Sequence, residues 1–205
     1  MIKRKLSVLL MIGAAILVTS LVVISSAKPG AGPLVPGAAV RARRSTTDDD
    51  DQAVIRKLAK YRGWALVNPV PVLMDPMAAA ACAVVLSNPL SPHASKYISV
   101  YVNGNGQDAM MKQRESSFPA GSIIVKEKLS YSAAKSPELL TVMIKRDPGY
   151  DSASGDWEYL VMDGTATKIN ERGRIKSCNS CHVAYRPNDF VTRTYLPIEV
   201  RKELK

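Results

Sequence analysis

The sequence predicts a mainly β (α+β) fold: a single antiparallel-sheet domain with a few helices and its chemistry-bearing motif near the C-terminus. Three observations carry this. Strand-like runs follow one another between Tyr97 and Met162, punctuated by Gly-, Pro- and Asp-rich turn signals. Helical spacing appears in one stretch near residues 51–62 and a short one around Met110 and Met111, and the segment with Cys178 to His182 reads as a late helical turn or loop. The ~178 residues left after an N-terminal leader suffice for one domain with a real core, and no internal repeat divides them.

The leader comes first. Lys3, Arg4 and Lys5 precede an almost uncharged apolar run over residues 6–24, and Ser25, Ser26 and Ala27 supply small residues for a cut after Ala27. The run exceeds the usual signal core and nears the ~20 residues that span a membrane. Residues 1–27 therefore read as a signal peptide or a retained N-terminal anchor, the small-residue site favouring cleavage. Either way the rest of the chain is exported.

Residues 28–50 are rich in Pro, Gly and Ala with an arginine cluster, lack an apolar period, and read as a flexible linker. The domain then occupies residues 51–205. Val54, Leu58 and Tyr61 lie at helical spacing, so a helix is expected over 51–62, capped by the aspartates before it. Pro69, Pro71, Pro76 and Pro89 interrupt the next stretch. Residues 97–103 form a β-rich run ending in a turn signal at Gly104 and Asn105. A strand is expected over 122–131, with Ile123, Val125, Glu127 and Leu129 on one side and Ile124, Lys126 and Lys128 on the other. Residues 139–145 and 157–162 make two more.

The formal charge of +10 falls to about +7 without the leader. Its bases are dispersed among Arg41, Arg43 and Arg44, the segment from Arg172 to Lys176, and the C-terminus. No stripe joins bases to stacking aromatics, and only two Phe and two Trp are present. Nucleic acid is excluded as a partner. The charge serves as solvated surface, or steers an acidic redox partner or an anionic membrane surface. Cys82, in an alanine-rich apolar stretch, reads as a small buried thiol.

Cys178, Asn179, Ser180, Cys181 and His182 spell C-x-x-C-H, the signature of covalent c-type haem attachment. Two thiols three positions apart each form a thioether to one haem vinyl group, and the adjacent imidazole becomes the proximal iron ligand. A C-x-x-C redox pair would want a βαβ context, which is missing. A closed zinc site would need Cys82 and His93 to complete it. Covalent haem attachment takes place outside the cytoplasm in bacteria, so leader and motif agree on the periplasm. No Met or His follows His182. A sixth ligand would have to come from His93, Met74, Met77, Met110, Met111, Met143 or Met162. A five-coordinate iron with an open distal side is the expectation, favouring small-molecule binding over plain electron transfer.

The ordered set Tyr61-Arg62-Gly63-Trp64, Tyr101-Val102-Asn103, Phe118-Pro119-Ala120-Gly121, Val125-Lys126-Glu127, Asp156-Trp157 and Cys178 to His182, with Asp189 downstream, resembles the cytochrome P-460 family and its relative cytochrome c′-β. The likeness runs over residues 51–195. It implies one haem c in a mainly antiparallel β domain, often dimeric, with an apolar-walled distal pocket. It carries Cys178 and Cys181 onto the thioether cysteines and His182 onto the proximal iron ligand. Lys126 falls on the lysine whose nitrogen bonds to the haem edge in cross-linked members, and so becomes a candidate for both cofactor binding and catalysis. From periodicity alone Lys126 is an ordinary strand lysine.

Two departures bear on the reaction. Family members that oxidise hydroxylamine carry a glutamate shortly after the haem motif. Here residues 183–187 contain no acid and Asp189 is the first. Some members have an arginine where this chain has Ile98. The expectation is an exported mono-haem protein that binds or oxidises small nitrogen species such as nitric oxide or hydroxylamine, served by a soluble redox partner. The alternatives are a gas binder without turnover and a periplasmic electron carrier.

Overall fold

Alternation along one strand organises the molecule. The computed structural model describes residues 46–77 and 95–205. Strand β4 (Ile123–Leu129) lies inside an antiparallel sheet of β1 (Ala65–Leu66), β3 (Tyr97–Val102), β4, β5 (Leu139–Lys145), β6 (Trp157–Asp163) and β7 (Ile169–Gly173), in that order. β2 (Val72–Leu73) pairs with β3 beside β1. Successive β4 residues point to opposite faces. Ile123 and Val125 pack with Leu140, Val142, Leu160 and Met162 beneath Val54 and Leu58 of helix α1 (Thr46–Leu58). Ile124 packs on the other side with Val102, Met143 and Tyr159. The expected split of β4 is therefore observed.

On the α1 side, Glu127 of β4 is buried and accepts from Tyr61 Oη at 2.6 Å and from Arg62 Nε at 2.8 Å. Burial and the neighbouring Glu127 carboxylate push the Tyr61 phenol well above its ordinary pKa. Glu158 pairs with Arg146 and Arg172, and Arg172 also reaches Asp50 and Asp51 of α1. These ion pairs raise the pKa of Arg172 against the opposing effect of burial.

On the opposite face, register aligns Val100, Lys126, Thr141, Val161 and Glu171 in one row across β3 to β7. The C-terminal segment covers this face through α3 (Lys176–His182), a 3-10 stretch (Val183–Asn188) and residues such as Val191, Tyr195 and Leu196.

Several boundaries differ from expectation. α1 starts at Thr46, inside the expected linker, with Asp48 and Asp49 in its first turn, where carboxylates meet the helix dipole. Gly104 and Asn105, expected as a turn, open α2 (Gly104–Met111), the short helix expected around Met110 and Met111. The reason is Asn103, whose Oδ1 accepts from Gly106 N at 3.3 Å and Ile123 N at 2.9 Å. β1, β2 and β7 were not expected. β1 and β2 are two residues each, and β7 is polar. Backbone pairing rather than a hydrophobic pattern defines them. Among the described residues no helix is long and apolar enough to cross a membrane. The leader, most of the linker, Cys82 and His93 lie outside the described residues.

Candidate functional site

A cavity of about 960 Å³ opens between the sheet and the C-terminal segment, at the upper end of the ~300–1,000 Å³ typical of small-molecule sites. α3 supplies Cys178, Cys181 and His182 to its wall. Residues three and four apart share one helix face, so the spacing delivers both sulfurs and the imidazole to one side. Lys126 and Lys128 enter the same wall from β4, Thr141 from β5, Tyr159 and Val161 from β6, and Tyr195 from the C-terminal segment. The two cysteines, His182 and Lys126 thus reach one cavity, across more than fifty positions of chain.

His182 is oriented. Its Nδ1 lies 2.7 Å from the Phe190 carbonyl oxygen. A carbonyl can only accept, so Nδ1 carries the proton and Nε2 keeps its lone pair for a metal. The ring packs against Tyr159 at 5.3 Å between centroids and against Tyr185 at 6.4 Å. Burial pushes its pKa down to about 4, the Lys126 charge adds to that, and the bond to Phe190 opposes it. At neutral pH the imidazole is neutral and able to ligate.

Lys126 is half-buried, with Nζ 4.9 Å from the centroid of the Tyr195 ring, a cation–π distance. The Tyr195 hydroxyl in turn donates to Met74 Sδ at 3.0 Å. Lys128, two residues along, is 1% exposed. Tyr159 is also buried, and its hydroxyl has no hydrogen-bond partner among the described residues. Burial, with Cys178 and Asp151 nearby, pushes its phenol above the ordinary range. A buried phenol facing a cavity marks a place for a polar group of a bound molecule. The residues present fit a porphyrin: two sulfurs, one oriented imidazole, a mainly apolar wall and this hydroxyl.

The remaining sequence candidates separate clearly. Of the methionines, Met74 lines the cavity, Met110 and Met143 pack in the core on that face with Met111 partly buried against it, Met162 packs on the α1 face, and Met77 is exposed. Asp189 is not in the cavity wall. It accepts from Phe118 N at 2.8 Å and from Lys145 Nζ at 2.6 Å. The carboxylates that do line the cavity are Asp75 and Glu171, both exposed. Lys128, Tyr159, Tyr195 and Glu171 went unrecognised as site residues in the sequence. For Lys128 a signal existed, since strand alternation already placed it on the face of Lys126. For the tyrosines there was none. Among the described residues no cluster of three or more His, Cys, Asp or Glu forms a metal site of its own.

A model of the family described as cytochrome P460 matches residues 58–193, from the last turn of α1 to beyond the C-x-x-C-H helix. No curated protein matches the chain.

Proposed function

The chain belongs to the cytochrome P460 family, its cofactor is accordingly a haem, and on that premise we propose an exported mono-haem c-type protein that binds or oxidises small nitrogen species. Cys178 and Cys181 would hold the porphyrin through thioethers, His182 would ligate its iron, and Lys126 would add a basic side chain to the same wall. When bound, the haem supplies an iron that takes a small ligand and exchanges electrons with a redox partner.

The observation that supports this reading most strongly is the convergence of Cys178, Cys181, His182 and Lys126 on one cavity, with His182 Nδ1 tied to Phe190 O at 2.7 Å. The chain's own groups divide the remaining work. The cysteines fix the group in place, and the Phe190 carbonyl sets the imidazole tautomer. Val161 and the other apolar residues of the sheet keep bulk water off the ligand. A methionine-ligated electron carrier is less well served. Met74, the described methionine in the wall, already has its sulfur engaged by Tyr195.

The deciding experiment is the absorption spectrum of the ferrous holoprotein with and without carbon monoxide, followed by nitric oxide titration. An open site binds both gases stoichiometrically. A six-coordinate low-spin spectrum that resists carbon monoxide would replace this reading with the electron carrier.

A further inference from the structure

The carbonyl that holds His182 is itself held. Asp189 and Phe190 form a left-handed pair, with φ of 52° and 63°. A bulky aromatic at positive φ persists only where its surroundings over-determine it. Those surroundings are present. Both Asp189 carboxylate oxygens accept from Lys145 Nζ at 2.6 Å, and Oδ2 also accepts from Phe118 N at 2.8 Å. The Asp189 carbonyl accepts from Trp157 Nε1 at 2.8 Å, and Phe190 N donates to Tyr185 O at 2.9 Å. Lys145 and Trp157 face each other across β5 and β6, with the ammonium 5.1 Å from the indole centroid. The Phe190 ring closes on Gly155, where a Cβ would stand 2.5 Å from ring carbon Cδ2 and 3.1 Å from Asp189 Oδ1. The Lys145 and Asp189 side chains are 14% and 15% exposed, so solvent screens the pair little.

We propose that Lys145 and Asp189 are positioning residues for the haem iron, acting through the Phe190 carbonyl on His182 Nδ1. The inference rests on the reading of His182 as the residue that would ligate the iron. Asp189 stands outside the cavity and touches no reacting atom. It fixes the direction of the next carbonyl, and that carbonyl sets the strength of the Nδ1–H bond. A strong bond there makes the imidazole a better electron donor to iron. Better donation favours the ferric state and lowers the reduction potential. Loosening the clamp therefore raises the potential while leaving the thioethers intact.

The test uses the holoprotein and two readouts independent of turnover: the iron–histidine stretch of the ferrous form by resonance Raman, and the reduction potential by redox titration. The wild-type stretch first establishes whether His182 is a ligand; without it the functional reading fails separately from the clamp. Asp189→Asn and Lys145→Met are each expected to lower that frequency and shift the potential upward, with haem still covalently bound. Lys145→Arg, which keeps the charge, should stay closer to wild type than Lys145→Met. Loss of thermal stability with stretch and potential unmoved would overturn the proposal, because a purely structural anchor behaves that way. Should the variants not fold, the wild type still decides. The His182 Nδ1–H proton in the reduced holoprotein should exchange slowly in deuterated solvent by NMR, and exchange within the dead time would overturn it.

Discussion

A cysteine thiol adds across a porphyrin vinyl group by gaining an S–C bond and passing its hydrogen to carbon, with no change in electron count. Cys178 and Cys181 need only be placed beside the vinyls, and three-residue spacing on α3 does that. Haem should accordingly remain with the wild-type polypeptide on a denaturing gel and through acid–acetone extraction. The double variant Cys178→Ser, Cys181→Ser should lose it; haem lost from the intact wild type, matured with attachment machinery, would end this reading. The Lys126 contact is chemically different. Exchanging an amine N–H and a porphyrin C–H for an N–C bond is a two-electron oxidation and needs an oxidant such as a peroxide. If that bond forms, haem-peptides from a tryptic digest should join the Lys126 and Cys178 segments. Lys126→Ala should then restore an ordinary c-type spectrum with haem still attached. Free modification of Lys126 by an amine reagent in the holoprotein would reduce it to a cavity-wall cation beside Tyr195. The cysteines and His182 stand out in the sequence because the C-x-x-C-H pattern is written in five consecutive residues. Lys126 is legible only by resemblance, since nothing local distinguishes it from Lys128.

At the scale of elements, β4 does two jobs with one alternation. Its even-numbered residues Ile124, Lys126 and Lys128 serve the cavity face, and Glu127 anchors the opposite face to Tyr61 and Arg62. Glu127→Ala would leave a buried phenol donor and a guanidinium without their acceptor. Arg62 is half in solvent, so most of the loss comes from Tyr61. The expected cost is about 1–3 kcal/mol, read as a lower denaturant midpoint with an unchanged haem spectrum. A spectral change of the size produced by Lys126→Ala would mean the faces are coupled. Gly155→Ala makes the complementary case. Its φ of 67° and the approach of the Phe190 ring both exclude a Cβ. This variant should disturb the Phe190 carbonyl and with it His182, although Gly155 lies twenty-seven positions before the histidine. β5 and β6 were legible from sequence because buried apolar runs bounded by turns define strands. β7 was not, because Glu171, Arg172 and their neighbours carry no apolar pattern and are held by pairing with β6.

For the whole molecule the expected outcome is tight nitric oxide binding with slow hydroxylamine oxidation. Oxidising a nitrogen hydride on ferric iron releases protons, and a positioned carboxylate typically speeds such transfers by ~10²–10⁴-fold. Residues 183–187 offer none, and Asp189 is committed to Lys145 and Phe118. Glu171 and Asp75 reach the cavity but are exposed. Glu171→Gln and Asp75→Asn should therefore each change the residual oxidation rate by less than the ~10²-fold that a positioned acid–base group contributes. Rapid multiple turnover that survives Glu171→Gln, Asp75→Asn and Asp189→Asn would show that no carboxylate is needed. The sequence by itself determined what is local in the chain: the C-x-x-C-H motif, the antiparallel β class, the two faces of β4, and the helix built on Val54 and Leu58. Each depends on spacings of one to four residues, which backbone geometry converts directly into faces. Only the tertiary structure decided what depends on distance. It closed Tyr159 and Tyr195 over the same cavity as Lys126, brought Glu171 to its wall, and kept Asp189 out of that wall, on Lys145 and Phe118 beside the carbonyl that meets His182. Those placements are set by strand register and by the packing of the C-terminal segment on the sheet, where residues far apart in sequence meet through contacts that no local pattern encodes.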